Sequence, residues 1–161
     1  MVVHRLHNLH AQKLAQPWQT LAGQEVRRRQ RLAPFSGNRL DAVTAHNESG
    51  NRDYVNGRPV TSPVGARFAM QVMPATARSP GFGLRPANPN DAGDMNRLGR
   101  EYRAVMERRY GGDLSKMWAA YNAGPGTVDN AIQRHGSNWL SHMPAETRTY
   151  ISRNLRSLGG R

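Results

Sequence analysis

Acidic residues are scarce in this chain, and where they fall narrows the places at which proton-transfer chemistry could occur. Between Asp53 and Asp91 there is no Asp or Glu. A carboxyl acting as a general acid near neutral pH needs a raised pKa, which burial beside apolar groups supplies. Glu48 meets that need best, because it stands at the end of an expected helix beside segments containing Met and Phe. A glutamate there could equally pair with one of the chain's many arginines, so residue type alone leaves both roles open. Asp53 follows soon after, suited either to capping a turn or to facing a substrate. Other chemistries lack their residues. There is no cysteine for a disulfide, a nucleophile or a thiolate metal site. Nucleophile-elbow, P-loop, dinucleotide and zinc-helix patterns are absent. Of the six histidines, only His4, His7 and His10 share helical spacing, so neither a metal site nor a cofactor is expected.

The elements that must position Glu48 can be read from caps and periodicity. Pro34-Phe35-Ser36-Gly37-Asn38 is a turn cluster able to cap a helix from about Arg39 to Asn47, with Leu40 and Val43 inward and Gly50 ending it. Asp53 to Thr61 carries Asn56-Gly57 between β-formers, a strong hairpin signal. Met70 to Ala77 reads as a short helix entered through Pro74, and Ser79 to Asn90 as an irregular loop. Met95, Leu98, Tyr102, Val105, Met106 and Tyr110 recur at three- and four-residue steps before Gly111-Gly112. Asp113 N-caps a second such helix with Leu114, Met117, Trp118 and Tyr121. Gly124-Pro125-Gly126-Thr127 turns into a third with Val128 and Ile132 inward. Pro144 opens a fourth with Tyr150, Ile151, Leu155 and Leu158 inward.

The 161 residues suit one domain, and the hydrophobic fraction of 37% still allows a core. Residues 1–33 read as a basic, helical N-terminal extension, and residues 34–161 as the body. The net charge of +12, from 21 Arg and 2 Lys against 11 acids, suits an anionic partner, although Arg excess also arises from coding bias. No signal-peptide-like or membrane-spanning apolar run occurs.

Four blocks of the sequence resemble, in order, the catalytic domain of soluble lytic transglycosylases. Glu48-Ser49 is similar to that family's catalytic Glu-Ser pair. Ser62 to Ala77, with Met70-Gln71, is similar to the block that usually contains Gly-Leu-Met-Gln. Ala119-Ala120-Tyr121-Asn122-Ala123-Gly124-Pro125-Gly126 matches the Ala-Tyr-Asn-Ala-Gly-Pro-Gly signature, and Trp139 with Pro144, Glu146-Thr147-Arg148 and Tyr150 resembles the closing block. The likeness covers about residues 38 to 155. Two departures stand out: Phe68-Ala69 replaces Gly-Leu, and the stretch from Glu48 to Ser62 is several residues longer than usual. With Pro80-Gly81-Phe82-Gly83, this pattern is closest to phage-encoded members.

The resemblance implies a mainly α, α+β fold with a small β-hairpin, of the lysozyme-like (goose-type) kind. It also implies cleavage of peptidoglycan glycan strands with a 1,6-anhydromuramoyl product and Glu48 as the single acid/base. Substrate contacts are implied for Ser49, Met70, Gln71, Tyr121, Asn122 and Glu146. Four of them have a plainer role as well: Ser49 as a helix cap, Met70 as core, Asn122 as a helix cap, Glu146 as partner of an arginine. Trp118 and Trp139 suit the core better than a sugar platform. A monomer without nucleic-acid partner or membrane span is expected, in a phage virion or host cytoplasm and acting at the wall. The competing readings are a hydrolytic muramidase and a non-catalytic wall- or nucleic-acid-binding module.

Overall fold

The computed structural model describes residues 38–159, so the N-terminal extension expected over residues 1–33 lies outside the described residues. The chain order is α1 (Arg39–Ser49), β1 (Tyr54–Val55), β2 (Arg58–Pro59), α2 (Pro74–Arg78), α3 (Ala92–Arg109), α4 (Leu114–Ala123), α5 (Pro125–His135), a 3-10 helix (Gly136–His142) and α6 (Ala145–Gly159). The α+β class expected from the sequence is what forms, with helices dominating and β1 and β2 antiparallel.

Local chemistry explains the helix ends. The Asn38 side chain accepts hydrogen bonds from the Leu40 and Asp41 N–H groups, and Asp91 and Asp113 cap α3 and α4 in the same way. Gly50, at φ 69°, closes α1 by donating to the carbonyls of Ala45 and His46. Gly124 adopts φ 87°, ψ 145°, a conformation open to glycine, and so ends α4 and admits Pro125 as the first residue of α5 with no intervening loop.

α4 is the centre of the body and packs on α3, α5 and α6, while α1 packs on α6. Met117, Trp118, Ala119 and Ala120 on α4 are wholly buried, which is why this helix is apolar nearly all round. Polar links fix α1 in place. The Trp118 indole N–H donates to Thr44 Oγ1 at 3.0 Å, Asn47 Nδ2 donates to Asn154 Oδ1 at 3.3 Å, and the buried Arg103 guanidinium pairs with Asp41.

Three sequence expectations change. Met70 to Met73 is not helical: Phe68 to Gln71 forms a turn closed by reciprocal hydrogen bonds between Arg67 and Val72, and α2 begins only at Pro74. Leu155 is 40% exposed, since α6 turns Tyr150, Ile151 and Asn154 inward and no other element among the described residues covers that side. The 3-10 turn between α5 and α6 was not expected; it carries Trp139 into the core.

Candidate active site

Glu48 occupies the last turn of α1 and is 3% exposed. Burial pushes its carboxyl up to about 8, because a charge there has lost its hydration. The Tyr150 hydroxyl and, less strongly, the Arg153 guanidinium pull the other way, and Glu146 adds a small upward push. The Tyr150 hydroxyl is the hydrogen-bonding group that addresses the carboxyl, but the contact falls short of well-formed geometry at either oxygen. A carboxyl so held is protonated at neutral pH and can give its proton away.

Beside Glu48, the turn at residues 68–71 is pinned from four directions. Ser49 Oγ donates to the Ala69 carbonyl at 3.0 Å, and the Ala69 N–H donates to Asp53 Oδ1 at 2.9 Å. The Met70 N–H donates to Asn96 Oδ1 at 3.1 Å, and the Tyr121 hydroxyl donates to the Met70 carbonyl at 2.8 Å. Asn96 Nδ2 in turn donates to Asp53 Oδ1 at 2.7 Å. These bonds hold Phe68 (φ 62°) and Gln71 (φ 50°) in the left-handed region, which costs such residues on the order of 1 kcal/mol each. Gly99 on α3 makes room: a Cβ there would sit 2.5 Å from Met70 Cβ.

The candidate residues therefore divide by what they touch. Glu48, Tyr121 and Glu146 are electrostatically coupled, with Glu146 on the exposed first turn of α6 and its carboxyl raised by partial burial. Tyr121 is buried and its proton goes to Met70, not to Glu48. Met70 is wholly buried, and its backbone, rather than its thioether, takes part in the polar network. Gln71 is buried too, its Nε2 donating to the Phe68 carbonyl at 2.8 Å, which leaves Oε1 as its unused group. Asn122 Oδ1 accepts from Thr147 Oγ1 at 2.8 Å and so ties α4 to α6. Ser49 bridges helix end to turn. Trp118 and Trp139 are core residues. Among the described residues no cluster of His, Asp or Glu could hold a metal ion; His4, His7 and His10 lie outside them.

Residues 38–142 match the profile of the family described as Transglycosylase SLT domain. This chain belongs to that family. It is also similar to the X-ray structure of an inactive mutant of the lytic transglycosylase Slt from Pseudomonas aeruginosa, with 27% identity and a TM-score of 0.66. That match covers 91% of this chain and 26% of the other, so the chain spans about a quarter of the length of that relative.

Within this SLT domain the sequence reading missed Asn96, Gly99 and Arg153. Asn96 gave no signal, since an asparagine near a helix start reads as ordinary. Gly99 did leave one: an isolated glycine inside a strongly periodic helix suggests a close approach. Arg153 was hidden among the SLT domain's many arginines, although its spacing from Tyr150 puts both on one face of α6.

Proposed function

We propose that this SLT domain is a peptidoglycan lytic transglycosylase acting on the β-1,4 bond between N-acetylmuramic acid and N-acetylglucosamine. Protonated Glu48 donates to the glycosidic oxygen as that oxygen's bond to muramoyl C1 breaks. The resulting carboxylate accepts the proton of the muramoyl C6 hydroxyl, and its oxygen closes on C1 to give the 1,6-anhydro end. No water is consumed, and one carboxyl serves as acid and then base. The observation that carries this reading is the burial of Glu48 with its carboxyl raised to about 8. Two facts support the single-carboxyl form: Asp53, the nearest acid in sequence, spends Oδ1 on Ala69 and Asn96, and the relative from Pseudomonas aeruginosa bears the name lytic transglycosylase.

A muramidase is the second reading, and Glu146 favours it: ordinary glycoside hydrolysis employs two carboxyls, and Glu146 is the carboxyl coupled to Glu48. Mass spectrometry of fragments released from purified sacculi, without reduction, separates the two. Anhydromuropeptides from the parent and none from Glu48→Gln are expected. Reducing ends dependent on Glu48 would replace the transglycosylase with the muramidase, and fragments from Glu48→Gln at the parent's rate would remove Glu48 as the acid. The proposal extends to a phage-encoded enzyme for wall penetration or lysis, carried in the virion or made in host cytoplasm; the sequence likeness to phage-encoded members supports that part.

A further inference from the structure

Helix α6 turns one polar stripe toward the end of α1. Glu146, Tyr150 and Arg153 stand at positions i, i+4 and i+7, a spacing that places them on one face, and all three couple to Glu48. Arg153 is half-buried, and its Nη1 is enclosed with no hydrogen-bond partner among the described residues. Arg85, Arg97, Arg103 and Arg109 each hold a carboxylate of the described residues at ion-pair distance. Arg103, which fixes α3 against α1, finds two acids in contact, Asp41 and Glu107. Arg153 does not: it lies within electrostatic reach of Glu48 and Tyr150 but beyond ion-pair distance of either.

We propose that Arg153 is a positioning residue for the reaction, a counter-charge held at a standoff so that Glu48 can bear negative charge once its proton has gone to the glycosidic oxygen. The inference rests on the proposed role of Glu48. A contact ion pair would keep Glu48 charged at rest and remove the acid, whereas no cation at all would leave a buried carboxylate uncompensated after the first proton transfer. Coulomb attraction falls with distance, so a separated guanidinium gives a moderate bias between those extremes. The other groups coupled to this pair are Tyr150, whose hydroxyl favours the Glu48 carboxylate, Glu146, which opposes it, Tyr121 on α4, and Arg156, which disfavours the charge on Arg153.

The test is a ¹³C NMR titration of the glutamate side chains in the parent, Arg153→Gln and Arg153→Lys, with the Glu48 signal assigned by its loss in Glu48→Gln. Rates of sacculus cleavage are measured across the same pH range. In Arg153→Gln the Glu48 midpoint and the alkaline limb of the rate should rise together, by roughly half a pH unit or more. The neutral-pH kcat should fall several-fold with little change in KM, and Arg153→Lys should restore both. An unmoved midpoint beside an inactive Glu48→Gln would overturn the inference alone, as would a raised KM with an unmoved midpoint, which would make Arg153 a substrate contact. Full activity in Glu48→Gln would overturn the proposed function and the inference with it.

Discussion

Asp53 Oδ1 accepts the backbone N–H of Ala69 at 2.9 Å, so the residue that opens the hairpin also holds the turn beside Glu48. The same oxygen takes the Asn96 amide, and Asn96 takes the Met70 N–H. Asn96→Leu keeps the branched shape but strands a buried N–H, a loss of about 1–3 kcal/mol. Urea denaturation should register that loss, and sacculus cleavage should slow mainly through kcat, because the turn shifts relative to Glu48. Unchanged stability would show that Met70 finds another acceptor.

Gly99→Ala tests the close approach on the other side of the turn. The added methyl meets Met70 Cβ at 2.5 Å and the Tyr121 hydroxyl at 3.2 Å, neither of which is a flexible chain end. Overpacking of this kind costs about 1–3 kcal/mol, outweighing the gain alanine normally brings to a helix interior. A lowered melting temperature is expected. A raised one would mean that α3 and the turn can separate at no cost.

Burial of Glu48 makes stability depend on pH. The folded carboxyl, at about 8, keeps a proton that the unfolded one, near 4.5, has released. Stability from this group is therefore complete below 4.5, falls by roughly 1.4 kcal/mol per pH unit above it, and is fully lost beyond about 8. Glu48→Gln carries no such charge. Its stability should match the parent's near pH 4.5 and exceed it by a few kcal/mol at pH 8 in parallel urea titrations. A constant difference across that range would place the carboxyl in water.

The same protonation governs the proposed reaction. There the acid form of Glu48 acts first, so kcat/KM for sacculus cleavage should decline as pH rises through about 8. Glu48→Gln should lose roughly two to four orders of magnitude below that pH, where the parent's carboxyl is protonated. A decline centred near the ordinary glutamate value would show that the working carboxyl is solvated.

Much of the architecture was legible because its causes are local. Asn38, Asp91 and Asp113 cap helices through hydrogen bonds to residues two or three positions away, and Gly50 ends α1 through φ 69°. Met95, Leu98, Tyr102 and Met106 repeat at the helical period and are buried as that period requires. Leu155 obeyed the same period and stayed exposed, since periodicity defines a face but not what covers it. Met70 and Gln71 were singled out by the likeness to the family's Met-Gln block, yet their burial depends on Asn96 and Tyr121, which stand 26 and 51 positions away from Met70.

By itself, the sequence determined the longer α-helices, the hairpin and the standing of Glu48 at a helix end, for caps, turns and periods act within a few residues. Tertiary structure decided that the Glu48 carboxyl is buried and proton-bearing, that the turn beside it is locked by Asp53 and Asn96, and that Arg153 on α6 comes within electrostatic reach of it. Desolvation and Coulomb forces act between neighbours in space, and α1, α3, α4 and α6 become neighbours only when the chain folds.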